Sequence, residues 1–223
     1  MNKRLVLISS IIFFVILTTS AVLLIIYLPR NNQVRFQVTF ESTWSETTHP
    51  YQFPPNPHWS GLIGATHSDG VTFWEVGGIT SDGIRFVAET GNKFPFTTVI
   101  DDAIEAQTAF SKISGSGINP SPGSVSVKFS ISRDYPLVTL VSMIAPSPDW
   151  FVGINSVSVL DGNGNWLEEL VITLYLYDAG TDSGLNYTAA NAPTNPRILI
   201  ATITTSEFPG SDVPFGTFTF TKD

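Results

Sequence analysis

Val34 to Phe40 reads VRFQVTF, with Val34, Phe36, Val38 and Phe40 apolar and a polar residue between each pair. That period of two is the pattern of a strand with one face buried and one in water. Similar short runs recur at Gly70–Glu75, Ile84–Ala88, Val125–Ile131, Leu137–Ala145, Val152–Val159, Leu170–Tyr177, Arg197–Thr204 and Gly216–Thr221. They are rich in β-branched and aromatic residues and are separated by Gly, Pro, Asn and Asp, which predicts strands joined by turns. Thr98 to Ser111 departs from the pattern. Ile100, Ile104 and Phe110 fall near helical spacing, and Asp101, Asp102 and Glu105 crowd the first half, where the positive end of a helix favours them. Gly115–Gly123 reads as a loop. Together these features predict an all-β, antiparallel sandwich crossed by one short helix.

A different pattern precedes it. Leu5 to Leu28 carries no charge and is almost wholly apolar, longer than the about 20 residues that span a bilayer core. Lys3 and Arg4 precede the run and only Arg30 follows it closely, so residues 1–4 are expected inside and the rest outside. A cleaved signal peptide would have a shorter apolar core, about 7–15 residues, and would make the chain secreted. A pilin-like stem would carry an early glutamate, and none is present. The reading is therefore an uncleaved transmembrane signal-anchor over 5–28, a linker over 29–33 and one domain over 34–223. So short a linker holds the domain close to the bilayer, since each residue reaches at most about 3.5 Å.

All nineteen Asp and Glu lie after Arg30, against eight Lys and Arg. Such a surface excludes nucleic-acid binding and is repelled by anionic lipid unless cations intervene. Without cysteine, neither disulfides nor thiolate metal sites are possible, so the domain depends on its apolar core.

Candidate chemistry concentrates in two stretches, Ser147-Pro148-Asp149-Trp150 and Tyr177-Asp178-Ala179-Gly180-Thr181-Asp182-Ser183-Gly184. Loop carboxylates that converge suit a hard cation such as Ca²⁺, which needs several oxygen ligands. Loop aspartates also serve as turn formers that bond their own backbone, and the residues alone leave both readings open.

Further motifs narrow the choice. Trp44-Ser45, Thr48-His49-Pro50, Phe53-Pro54, His58-Trp59-Ser60, Ile63-Gly64-Ala65-Thr66-His67-Ser68 and Trp74-Glu75 with Gly77-Gly78 precede the two stretches in order. With Trp150, Val152-Gly153 and the Asp178–Gly184 block, this series resembles the spondin domain over roughly residues 34 to 221. The resemblance implies an eight-stranded β-sandwich of the calcium- and lipid-binding type, found in extracellular-matrix and adhesion proteins. It also implies that calcium is held by Asp149, Asp178 and Asp182. Animal matrix members commonly carry cysteines near the Asp161–Trp166 turn, which this chain lacks, and the partner binding of their additional repeat domains does not carry over.

Other motifs are weaker. Asp161-Gly162-Asn163-Gly164-Asn165 suggests an EF-hand loop, but the sixth position is Trp166 and the twelfth Ile172, so a hairpin turn is expected. His49, His58 and His67 recur every nine residues and suggest zinc, against a structural role in loops that need side-chain-to-backbone bonds. No nucleophile elbow, zinc-protease helix or phosphate loop is present, and Glu168-Glu169 would point to opposite faces of a strand, so no enzyme is expected. The five tryptophans read as core rather than a sugar platform, and Asn186-Tyr187-Thr188 is a glycosylation sequon. The expectation is a membrane-anchored, calcium-binding adhesion or matrix-interaction module for an extracellular protein or glycan. A filament or surface-layer subunit assembled through the apolar helix, and a calcium-dependent lipid binder, are the alternatives.

Overall fold

The computed structural model describes residues 32–223. Gln33–Asp223 forms one compact unit. The expected transmembrane helix over 5–28 lies outside the described residues. Within them, no helix is long and apolar enough to cross a membrane.

Among the described residues there are eleven strands and two helices. The strands are β1 (Gln33–Ser42), β2 (His58–Trp59), β3 (Ile63–His67), β4 (Ala109–Ser114), β5 (Gly123–Ser132), β6 (Leu137–Ala145), β7 (Trp150–Ser158), β8 (Glu169–Leu174), β9 (Tyr177–Asp178), β10 (Ala201–Thr202) and β11 (Gly216–Lys222). Eight of them have five residues or more, in keeping with the expected eight-stranded sandwich, and β2, β9 and β10 are two-residue additions. One sheet runs β5-β1-β11-β8. The other runs β10-β9-β7-β6-β3-β4, with β2 paired to β6, and every pairing is antiparallel.

The alternation in β1 works as predicted. Phe36, Val38 and Phe40 are fully buried, and β11 sets Phe220 opposite Val38 and Phe218 opposite Phe40. These residues pack with Phe129 and Ile131 of β5 against Val138, Leu140, Ile144, Val152 and Ile154 of the second sheet. A second apolar layer covers the other face of that sheet. There Ile63, Ala65, Val141 and Phe151 meet Phe73, Trp74 and the two helices.

The helices are α1 (Asp82–Thr90) and α2 (Phe96–Glu105), so the single crossing helix is corrected to two. Ile84–Ala88, expected as a strand, is the middle of α1. Ser81 caps its start by accepting the Ile84 N–H, and Gly91 ends it in the left-handed conformation. With those caps, Ile84, Val87 and Ala88 form one buried stripe, and helix spacing prevails over the β-branched composition.

The expected helix over Thr98–Ser111 is shorter and earlier. It stops at Glu105, Gln107 takes a positive φ of 57°, and Ala109 already begins β4. Gly70–Glu75 is no strand; Phe73 and Trp74 instead plug the helix layer. Arg197–Thr204 contracts to β10 and an isolated bridge between Ile79 and Leu199.

The Asp223 N–H bonds to the Arg35 carbonyl, so the chain enters at Gln33 and finishes at the same end of the sandwich. At the opposite end β1 runs out at Ser42, and Trp44 just beyond it touches Tyr187, which touches Trp150 and Phe208. The loops bearing the candidate aspartates close over that aromatic cluster.

Candidate functional site

Local structure delivers the first aspartate. Between β6 and β7, the Ser147 hydroxyl accepts the Trp150 N–H at 3.2 Å, folding a tight turn that leaves Asp149 at the lip of β7. Its neighbour β9 sets Asp178 opposite Trp150, and the Ala179 N–H reaches the Asp149 carbonyl. Gly180 then turns the chain with a φ of 72°. A Cβ there would run into the Ile198 carbonyl, so glycine is required on both grounds.

The turn aims the next backbone amides inward. Asp149 Oδ2 accepts the Thr181 N–H at 2.7 Å, the Asp182 N–H at 3.0 Å and the Thr181 hydroxyl at 3.1 Å. Asp149 Oδ1 is also sealed from solvent but has no hydrogen-bond partner. Asp178 Oδ1 accepts the Gly180 N–H at 2.6 Å, an Asx turn of the kind its surroundings predicted. Asp182 is buried and uses both oxygens, one for the Gly184 N–H at 2.8 Å and one for the Ala192 N–H at 2.7 Å. Each of these oxygens retains a lone pair.

Electrostatics link the group. Burial, together with the negative charge of Asp178, pushes the Asp149 carboxyl up to about 6, against the pull of the Thr181 and Asp182 N–H groups. Asp178 is also raised, by burial first and by the charges of Glu207 and Asp182, while the Gly180 N–H lowers it. The Trp150 indole N–H favours its charged form too, through a contact short of hydrogen-bond geometry. No Lys or Arg forms a salt bridge with Asp149, Asp178, Asp182 or Glu207 among the described residues. Nor, among those residues, do three acidic or histidine side chains close around one point as a finished metal cage.

The fold thus brings Asp149 and Asp178 into direct electrostatic contact and sets Asp182 beside Asp178. The side chains that sequence reasoning passed over are Thr181 and Glu207. Thr181 stood inside the recognised block, and its role depends on the inward turn at Gly180. Glu207 arrives from a distant loop with no motif to mark it.

The histidines are separate and structural. The His49 Nε2–H donates to the Val213 carbonyl and its ring lies 4.1 Å from that of Phe215. The His58 Nδ1–H donates to the Asn56 carbonyl at 2.8 Å. His67 is fully buried; its Nδ1–H donates to the Ser68 carbonyl, leaving Nε2 to accept from the Thr139 hydroxyl, each at 2.8 Å. Asp161 folds the expected turn, accepting the Asn163 and Asn165 N–H groups at 2.8 Å each.

The site lies within a domain whose relatives are known. The family model Spondin_N matches residues 34–219. Human Spondin-2 is 37% identical over 176 residues, covering 77% of this chain and 53% of its own length. Rat Spondin-2 matches over the same span with the same identity, and chicken Spondin-1 is 34% identical over 185 residues, covering 79% of this chain and 23% of its own length. The chain therefore spans about half the length of Spondin-2 and about a quarter of Spondin-1. From the β1 alternation to the Asp178–Gly184 turn, the match runs across the whole sandwich, and the chain belongs to the Spondin_N family.

Proposed function

We propose that this domain is a non-catalytic, calcium-binding adhesion or matrix-interaction module, exported and anchored through the apolar segment over Leu5–Leu28. One observation carries the calcium reading: Asp149 presents a buried carboxylate oxygen with no hydrogen-bond partner, beside acidic groups that form no salt bridge with Lys or Arg among the described residues. An orphaned buried acceptor is costly, and a divalent ion would both partner it and offset the repulsion among the carboxylates. Asp149, Asp178 and Asp182 fit such an ion in type and charge and would hold it, with small movements of the loops completing the ligand set. The ion supplies a positive charge that joins the Asp149 loop to the Asp178–Asp182 loop. Membership in the spondin family supports an extracellular setting.

Thermal unfolding of the full chain in detergent tests the site. At a hundredfold excess over Kd, calcium stabilises by about 2.7 kcal/mol, a rise of roughly 5–10 °C for a domain of this size. Asp178→Ala abolishes the rise; an equal rise in the variant overturns the site.

A further inference from the structure

Asp178 also lines a cavity of about 140 Å³. Trp150 and Phe208 line it, with ring centroids 5.0 Å apart, and both are buried. Leu185, Ile198 and Leu199 contribute further wall, and all three are exposed, Leu185 to 78% of its surface. Aliphatic side chains this open to water, gathered at one opening, mark a contact surface rather than a solvated face. Asp178 and Glu207 add two carboxylates to the lining, and neither has a Lys or Arg partner among the described residues. The Trp150 indole, 3% exposed, belongs to the same lining. Both ends of the domain chain lie at the other end of the sandwich, where Asp223 bonds to Arg35.

We propose that this cavity receives the basic side chain, lysine or arginine, of an extracellular polypeptide partner. The chemistry is complementary on two counts. An aliphatic stem fits between Leu185, Leu199 and Ile203, and Glu207 with Asp178 supplies the counter-charge. A purely apolar side chain would fill the walls but leave the half-buried Asp178 carboxylate without a counter-ion. An acidic one would be repelled. The pocket goes beyond the calcium site: Glu207 and the apolar walls are not calcium ligands in that reading.

The test uses the full chain in detergent, labelled with 5-fluorotryptophan, with the Trp150 signal assigned by single Trp→Phe replacements. N-acetyl-lysinamide, titrated in chelator, moves the Trp150 signal along a saturating curve, whereas N-acetyl-norleucinamide does not. Glu207→Gln retains an acceptor for Thr204 and weakens the lysine response about threefold, the strength of one exposed ion pair. Leu185→Ala, at an open position, weakens it independently. An equal response to norleucinamide, no response to either probe, or an unchanged response in Glu207→Gln overturns the proposal. Lysinamide binding without a calcium-dependent melting shift upholds the cavity and removes the calcium reading, and the reverse pattern separates them the other way.

Discussion

Asp149 Oδ2 accepts the Thr181 N–H at 2.7 Å, a bond between residues 32 positions apart that joins the two loops. Its partner oxygen, Oδ1, is equally buried and unused. One half of this carboxylate is structural, and the other half is what the calcium reading rests on.

Asp149→Ala and Asp149→Asn should therefore separate. The alanine variant leaves the Thr181 and Asp182 N–H groups without their acceptor and costs about 2–4 kcal/mol. The asparagine variant keeps an acceptor in place and removes a repelling charge, so chelator-treated protein melts within a few degrees of wild type. Both lose the calcium-dependent rise. Differential scanning calorimetry with and without calcium reads all four values.

Gly180→Ala is expected to damage the site without touching a carboxylate. Its φ of 72° and the Ile198 carbonyl both oppose a Cβ, so the turn must shift and the Thr181 and Asp182 N–H groups lose their aim. A loss of about 1–3 kcal/mol follows, together with weaker calcium binding by isothermal titration. Gly162, which has open space around it, should accept alanine with almost no effect.

Acid should destabilise the fold through His67. Burial holds its imidazole below the ordinary value, against the Ser68 carbonyl, so the native state resists a proton that the unfolded chain accepts below about 6.5. This contribution is complete above that pH and falls away as pH drops through it, by up to about 1.4 kcal/mol per pH unit. Asp149, raised to about 6, runs in the opposite sense: its contribution is present at low pH and lost as pH rises through that value. The difference between wild type and His67→Gln in urea midpoints from pH 7.5 to 5 isolates the histidine. Parallel curves would remove this assignment.

Phe40 and Phe218 meet edge to face at 5.2 Å, both fully buried between β1 and β11. Phe218→Ala should cost about 3–5 kcal/mol, since a rigid sheet closes poorly around the cavity. Val171→Ala, on the exposed face of β8, should change stability by less than about 0.5 kcal/mol.

The half-buried strands were readable because their alternation is a direct imprint of one dry face and one wet face. β1, β5, β6, β7, β8 and β11 all fall within predicted runs or near their edges. β3 was missed for the complementary reason. All five of its residues are buried, between the sandwich core on one side and the helix layer on the other, so no period of two survives. The run inside α1 reads as a strand because five residues cannot distinguish the two periods; Ser81 and Gly91, outside that window, decide it.

By itself, the sequence determined a β-rich domain, its acidic and cysteine-free character, its family likeness and the three candidate aspartates, since each is a property of residue type and order. Only the tertiary structure decided what those aspartates face. β9 pairing with β7 and the turn at Gly180 give Asp149 three donors on one oxygen and none on the other. Glu207 and the cavity beside Asp178 belong to the same class of fact. Charges distant along the chain act on one another only after folding brings them within a few ångströms, in surroundings too dry to screen them.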